Sequence, residues 1–219
     1  MALPLDETIT EGQAAHIADH ETIAEVLNVA FGGASPTLAL SGTFSPLTGW
    51  IAGRYYRPML VASVAPLTMT QNRIYYIPLP VPGGTSIDRI GVEVTTEIAT
   101  SIVRVGAYAN SGGVPSGLPL FEIGTPLDSA STGAKEATID EDLPGGLIWI
   151  ACKAENGGPT IRGAANISVS LVNIGGATLA NAVQNTYGGW QETGSAGALT
   201  TPGTLTQTTS VPFVAVRKA

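Results

Sequence analysis

From residue 54 onward the chain is a succession of short strand-like segments, and several of them alternate apolar and polar residues with a period of two, which is typical of half-buried β-strands. In 87–96, for example, Ile90, Val92 and Val94 are expected to face inward and Ile87 outward. Clusters of Gly, Pro and Asn, the residues that favour turns, separate such segments. Strands are predicted at 54–63, 73–81, 87–96, 102–109, 118–123, 134–139, 147–154, 167–174 and 211–216. The pattern predicts a mainly β fold, an antiparallel two-sheet sandwich of the jelly-roll type.

Prolines and tyrosines refine the prediction for 73–81. Pro78 and Pro80 stand at alternate positions, and proline donates no backbone hydrogen bond. This segment is therefore expected to be an edge strand that leaves the sheet. Because Tyr75 and Tyr76 are consecutive, their rings point to opposite faces, and only one of them is expected in the core.

A second pattern, with the period of a helix, occupies residues 10–31. Thr10 and Gln13 have the spacing of a capping box at its start. One face of the helix carries His16, His20, Ile23, Leu27, Ala30 and Phe31. Positions 16, 20, 23, 27 and 30 on this face alternate spacings of four and three, as a coiled-coil seam does. Two heptads do not hold an oligomer alone, so either the main domain assists the seam or the helix docks on its own domain.

The helix is followed by a stretch, 32–53, that is rich in Gly, Ser, Thr and Pro and carries scattered apolar residues. This composition predicts an extended arm with apolar anchors rather than a free tether. Residues 1–53 are thus expected to form an attachment or oligomerisation helix with its arm, and residues 54–219 a β body.

The chain of 219 residues has a net charge of −7, which is concentrated at its start. Residues 1–31 hold six of the 17 acidic residues and none of the 10 Lys and Arg residues. No basic cluster is present to neutralise phosphates, so nucleic-acid binding is not expected. A membrane span is not expected because no run of 18 apolar residues occurs, and the N-terminus lacks the basic start of a signal peptide.

His16 and His20 are the only histidines, and a separation of four residues on one helix face can hold a metal ion. The glutamate of a His-Glu-x-x-His enzyme is missing between them. Three interpretations remain open, namely a metal site completed by another segment, an acid-sensitive joint between subunits, and hydrogen-bonded packing. No catalytic histidine is expected beside the β body, and neither a catalytic set nor a cofactor is predicted.

Two further groups invite a chemical interpretation. Cys152 lies in the apolar run 147–152 and is expected to be a buried core residue rather than a reactive thiol. Asp140, Glu141 and Asp142 precede a Pro-Gly-Gly run in a predicted turn. A solvated cluster, a calcium loop and the acid pair of a glycan hydrolase are the alternatives there.

Residues 175–210 are rich in Gly and Thr and interrupt the strand pattern, which predicts a long loop. This stretch carries Tyr187 and Trp190. The two rings either form a platform on which a ligand stacks or pack the loop against the body.

The segment around His16 resembles a stretch found in many structural proteins of tailed bacteriophages. His16-Ile17-Ala18-Asp19-His20, followed by Ile23 and Leu27-Asn28, matches H-x-x-D-H-x-x-I…L-N. Residues 73–78, 87–92 and 103–108 look like the β-rich bodies of phage fibre, minor tail or head-decoration proteins. The resemblance implies a homotrimer in the virion, made in the host cytoplasm, attached through its N-terminal part and displaying its β body.

The sequence and the resemblance together predict a non-enzymatic virion structural protein, either a capsid decoration or a short fibre. Its partners would be other virion proteins, contacted through the acidic N-terminal segment. The first alternative is a module on the virion that binds a receptor or a host surface glycan. The second is a glycan hydrolase that uses carboxylates such as Asp140 or Glu141.

Overall fold

A computed structural model of the chain describes residues 49–58, 64–164, 174–175, 178 and 187–219. These residues form strands and no helix, so the prediction of a mainly β fold is confirmed. None of the described ranges offers a helix that could cross a membrane. The strands are β1 (Tyr55–Tyr56), β2 (Ala65–Thr68), β3 (Arg73–Val81), β4 (Thr85–Thr96), β5 (Ile102–Ser111), β6 (Val114–Glu122), β7 (Leu127–Asp128), β8 (Gly133–Leu143), β9 (Gly146–Glu155), β10 (Thr160–Ala164), β11 (Gly189–Thr193), β12 (Thr206–Thr208), β13 (Val211–Pro212) and β14 (Ala215–Lys218).

The strands form two antiparallel sheets. The first sheet has the order β1-β14-β4-β10-β13, and β2 pairs with β10. β8 pairs with the edge of β4 that lies opposite β14. The second sheet has the order β12-β11-β3-β9-β5-β6, with β7 paired to β5. The longest ladders are those of β4 with β8 and of β9 with β3 and β5, and β9 lies inside the second sheet between its two partners.

Inward-facing side chains of the two sheets meet in one core. From the first sheet, β4 contributes Ile90 and Val92; from the second, β9 contributes Ile148 and Ile150. These side chains alternate with outward-facing residues, as period two requires. The two sheets therefore pack face to face, each burying one side against the other.

Ile87 faces this core as well, so the prediction that it faces outward is wrong. The register of the pairing between β4 and β8 shifts between Ile87 and Arg89. The register of the pairing between β4 and β14 shifts at the same two residues of β4. A β-bulge reverses the alternation of a strand. Ile87 and Ile90, which are three residues apart, consequently point to the same side.

The second sheet is buried on its outer face too. A separate apolar cluster there consists of Ile74, Tyr76, Tyr108, Trp149, Ala151 and Leu199. Tyr75 lies in the main core and Tyr76 in this outer cluster, with exposed fractions of 4% and 0%. The expectation that only one of these rings is buried is therefore wrong, because a covering segment shields the second face.

β3 lies inside its sheet and is not the edge strand that its prolines predict. Residues 74–76 pair with both β9 and β11, whereas 77–81, which include Pro78 and Pro80, pair with β9 alone. The missing N–H groups thus fall where β3 has one paired edge among the described residues, and there proline is tolerated.

Three other predictions concern particular stretches of the chain. Within 175–210, residues 189–193 and 206–208 are strands, so this stretch is not one uninterrupted loop. Asp140, Glu141 and Asp142 lie in β8 and not in the turn that follows it. The proposed strand at 167–174, except for Ile174, and the N-terminal helix with His16, His20, Ile23, Leu27 and Phe31 lie outside the described residues.

Candidate functional site

Residues 194–205, which we call the strap, lie across the outer face of the second sheet. Because alternate residues of a strand share a face, β9 presents Trp149, Ala151, Lys153 and Glu155 on this side. Leu199 of the strap is 5% exposed and belongs to the outer apolar cluster. The strap thereby gives the sheet a second, smaller core.

A buried lysine fastens the start of the strap. Lys153 is fully buried, and its Nζ donates to the carbonyl oxygens of Ser195 at 3.0 Å and Gly197 at 2.5 Å. The same Nζ lies 2.8 Å from Glu155 Oε1, which accepts the backbone N–H of Gly197 at 2.9 Å. The ammonium thus binds two carbonyl oxygens at the start of the strap, and the carboxylate binds a backbone N–H of the same stretch.

Arg104 joins this pair to a second carboxylate. Its Nε lies 3.0 Å from Glu155 Oε1, and its Nη1 lies 3.2 Å from Glu122 Oε1. Glu122 Oε2 accepts the backbone N–H of Leu199 at 2.8 Å. Each charge meets an opposite charge or a backbone dipole, which offsets the loss of hydration on burial.

The carboxyl of Glu155 is held in its ionised form. Burial alone would raise its pKa, but the hydrogen bonds from Lys153 and Arg104 outweigh burial and lower the pKa below its usual range. Glu155 therefore carries its charge at neutral pH, where it can accept the bonds that fix the strap.

Two tyrosines fix the rest of the strap. The Tyr76 hydroxyl donates to Glu192 Oε1, while Glu192 Oε2 accepts the backbone N–H of Gly203 at 2.5 Å. The Tyr108 hydroxyl donates to the carbonyl oxygen of Thr200 at 2.8 Å. Burial raises the pKa of both tyrosines, so both hydroxyls stay protonated and act as donors.

Trp190, one of the two predicted platform residues, lies in β11 beside this cluster. Its ring is half-buried against the outer apolar cluster, and its indole N–H donates to the carbonyl oxygen of Gly113 at 3.1 Å. Tyr187 precedes β11 and is also half-buried. The surroundings of Trp190 fit the packing interpretation better than that of a free stacking surface.

In the part of the chain that the structure describes, the outer face of the first sheet carries a groove of about 430 Å³. Ala215 of β14, Gly91 of β4 and Glu136 of β8 are direct cross-strand neighbours in one row of this face. Ala215 and Gly91 present almost no side chain. The row therefore forms a trough between the longer side chains of the two adjacent rows.

Tyr55 borders the trough on one side. Its hydroxyl donates to Glu136 Oε2 at 2.5 Å, although β1 and β8 are three strands apart, about 14 Å at the usual strand spacing. The phenol must therefore lean across β14 and β4, yet 48% of the residue stays exposed. The hydrogen bond to Glu136 raises the pKa of Tyr55, and the Arg217 guanidinium lies 5.8 Å from the ring centroid.

Two arginines border the trough on the other side. Arg162 donates to both carboxylate oxygens of Glu93, at 3.1 and 2.7 Å, and this pairing lowers the pKa of Glu93. The Arg57 guanidinium lies 4.9 Å from the centroid of the Phe213 ring. Among the described residues, Arg57 forms no ion pair with a carboxylate.

Cys152 and the acidic run of β8 contribute to neither the strap nor the groove. Cys152 is fully buried in the main core, as predicted, and burial raises the pKa of its thiol. Asp142 accepts a hydrogen bond from the Ser86 hydroxyl at 2.5 Å. The described part of the chain contains no group of three His, Cys, Asp or Glu residues placed to hold a metal ion.

Neither the strap nor the groove follows from the sequence pattern. Lys153 and Glu155 look like surface residues of an alternating strand, and their burial depends on a segment some forty positions away. Tyr55 and Arg57 lie near the start of the β body, and the small residues that make room beside them come from three other strands. The one available signal is the pair of small residues, Gly91 and Ala215, at outward-facing strand positions.

The sequence matches no known protein-family model and no curated protein.

Proposed function

We propose that this chain is a non-enzymatic structural protein of a tailed-bacteriophage virion, either a capsid decoration or a short fibre. In this proposal the acidic N-terminal segment anchors the chain to other virion proteins and joins three copies. The β body, as a jelly-roll-type sandwich, is displayed outward. The phage resemblance of the segment around His16 and the acidic bias of residues 1–31 support this division of labour.

The observation that carries the proposal is that the buried charged side chains of the β body hold one of its own segments, the strap, in place. In the described residues, the buried charged side chains are Lys153, Glu155 and Glu192, and each of them bonds to the strap. These charges fix the shape of the body. A displayed virion domain must keep its shape outside the cell, and charges used in this way serve that requirement.

The hydrolase alternative finds less support in the geometry. Asp140 and Glu141 are consecutive residues of an extended strand, so their side chains leave β8 on opposite faces. Asp140 is exposed, whereas Glu141 is half-buried. They do not form a carboxylate pair on one surface, which hydrolysis of a glycosidic bond requires.

The oligomeric part of the proposal is tested with the full-length protein by multi-angle light scattering. We expect the mass of three chains for the natural protein. Because the apolar seam would lie between subunits, the double substitution Ile23→Asp, Leu27→Asp should give single chains. The far-UV circular dichroism of the β body should not change.

Ala18→Asp is the matched control, since residue 18 lies on the face of the predicted helix opposite the seam. This variant should remain trimeric. A natural protein that runs as a monomer, or a control that dissociates as the seam variant does, contradicts the proposal. In addition, an antiserum against the chain should label purified phage particles, and its failure to do so would remove the virion assignment.

A further inference from the structure

We propose that the groove on the outer face of the first sheet binds a sugar residue that carries a carboxylate, with its ring stacked on Tyr55 and its carboxylate paired to Arg57. This inference adds a ligand site to the structural role proposed above. It does not depend on the trimer or on the site of attachment.

The contacts of Tyr55 hold its ring in a position suited to stacking on a sugar. An aromatic ring binds a sugar well when one face is accessible and the ring does not lose freedom on binding. The hydroxyl of Tyr55 is bonded to Glu136, its ring is close to Arg217, and nearly half of the residue remains exposed. The ring is thus oriented before any ligand arrives.

The groove has room for a sugar ring beside Tyr55. Gly91, Ala134 and Ala215 line it without long side chains, so about 430 Å³ remains open beside the Tyr55 ring. This volume falls within the range usual for small-molecule sites. A Cβ on Gly91 would lie 2.4 Å from the carbonyl oxygen of Lys135. Glycine at this position therefore allows β4 and β8 to pair closely, and it leaves the trough free of a side chain.

Within the described ranges, the walls of the groove carry charged side chains, of which Arg57 is free to pair with a ligand. Arg162 is already paired with Glu93 by two hydrogen bonds, and Glu136 accepts the Tyr55 hydroxyl. Arg57 contacts only the Phe213 ring among the described charged and aromatic partners, so its guanidinium remains available for an anion. Glu93 and Arg162 lie along the same wall and offer an acceptor and donors for sugar hydroxyls.

Together these features specify the ligand class. A flat ring favours the apolar face of a pyranose, the paired Arg162 and Glu93 favour hydroxyls, and Arg57 favours a carboxylate over a neutral substituent. A chain with a net charge of −7 attracts anions poorly as a whole. Binding of an acidic sugar must therefore come from this local arrangement and not from general electrostatic attraction.

The test is calorimetric titration of the full-length protein with a tetramer of galacturonic acid and, in parallel, with the neutral galactose tetramer. We expect measurable binding of the acidic tetramer and at least about tenfold weaker binding of the neutral one. Tyr55→Ala should weaken binding of the acidic tetramer by about tenfold. Arg57→Gln should reduce it to the level of the neutral tetramer.

Arg54→Gln is the matched control, because Arg54 is exposed and is not part of the groove lining. It should bind as the natural protein does, and the thermal unfolding of all three variants should show that they are folded. Absence of binding, equal binding of both tetramers, or equal loss in Arg54→Gln and Arg57→Gln would overturn the inference. Trimer mass and particle labelling are measured separately, so they report on the structural role whatever the titration gives.

Discussion

Lys153 is a single residue on which the position of a whole segment depends. Its ammonium group is completely buried and has three oxygen partners, two on the strap and one on Glu155. An ammonium donates three hydrogen bonds, so these partners satisfy it fully. The group is stable in the interior only as long as the strap lies against the sheet.

We therefore expect Lys153→Met to destabilise the protein by about 3 kcal/mol. Methionine fills much of the same volume, but it leaves the carbonyl oxygens of Ser195 and Gly197 without their donor, and Glu155 keeps only Arg104 as a charged partner. The free energy of unfolding in urea measures the effect. Lys218→Met, at a partly exposed lysine at the end of β14, should cost about 0.5 kcal/mol or less. Equal losses in the two variants would show that the buried contacts contribute little.

Lys153 is also one of the buried residues whose burial the sequence does not predict. Ile90 and Val92 are assigned correctly from alternation alone, and Cys152 from its apolar surroundings. Ile87 is assigned wrongly because a bulge changes the alternation without changing composition. Lys153 and Tyr76 are missed because their burial comes from a distant segment, which a local pattern does not contain.

At the scale of elements, the second sheet is a layer with two buried faces. One face meets the first sheet, and the other meets the strap and the ring of Trp190. The long strands β3, β4, β5 and β9 are recognisable in the sequence because each spans nine or more residues rich in apolar side chains and is bounded by residues that favour turns. Short strands such as β11 and β12 cannot be recognised in the sequence, because their composition does not favour strands. They are strands because β11 pairs with β3 and with β12.

The attachment of the strap should depend on pH. The pKa of Glu155 is lower in the folded protein than in the unfolded chain, where it is about 4.3. Ionised Glu155 therefore contributes its full stabilisation above about pH 4.3. This stabilisation is lost as the pH falls through the pKa that Glu155 has in the folded protein. Accordingly, Glu155→Gln should be less stable than the natural protein at pH 7. The difference should shrink below about pH 4, as measured by urea unfolding at a series of pH values.

Asp140→Asn serves as the control for this series, because Asp140 is an exposed carboxylate on β8. Its stability should follow that of the natural protein at every pH. A difference between Glu155→Gln and the natural protein that stays constant from pH 7 to pH 3 would mean that ionisation of Glu155 does not hold the strap.

At the scale of the whole molecule, a mainly β protein must keep its sheet edges from pairing with other copies. In the described residues, β6 pairs only with β5, and β8 only with β4, so each has one free edge. β6 exposes Leu118 and Leu120, but it also contains two prolines, which lack the N–H that edge pairing needs. β8 has eleven residues and no proline, and it needs a different protection.

Lys135 supplies that protection in β8. It lies opposite Val92, a core residue, so its side chain starts on the inward face of the sheet at an open edge. A second copy that paired with this edge would have to bury the charge, which costs free energy unless the ammonium finds a partner. We expect Lys135→Val to associate beyond the natural assembly as concentration rises, and Lys135→Arg, which retains the charge, to behave like the natural protein. Light scattering over a dilution series measures the difference. If the valine and arginine variants give the same mass at every concentration, the edge is protected by its neighbours and not by the lysine.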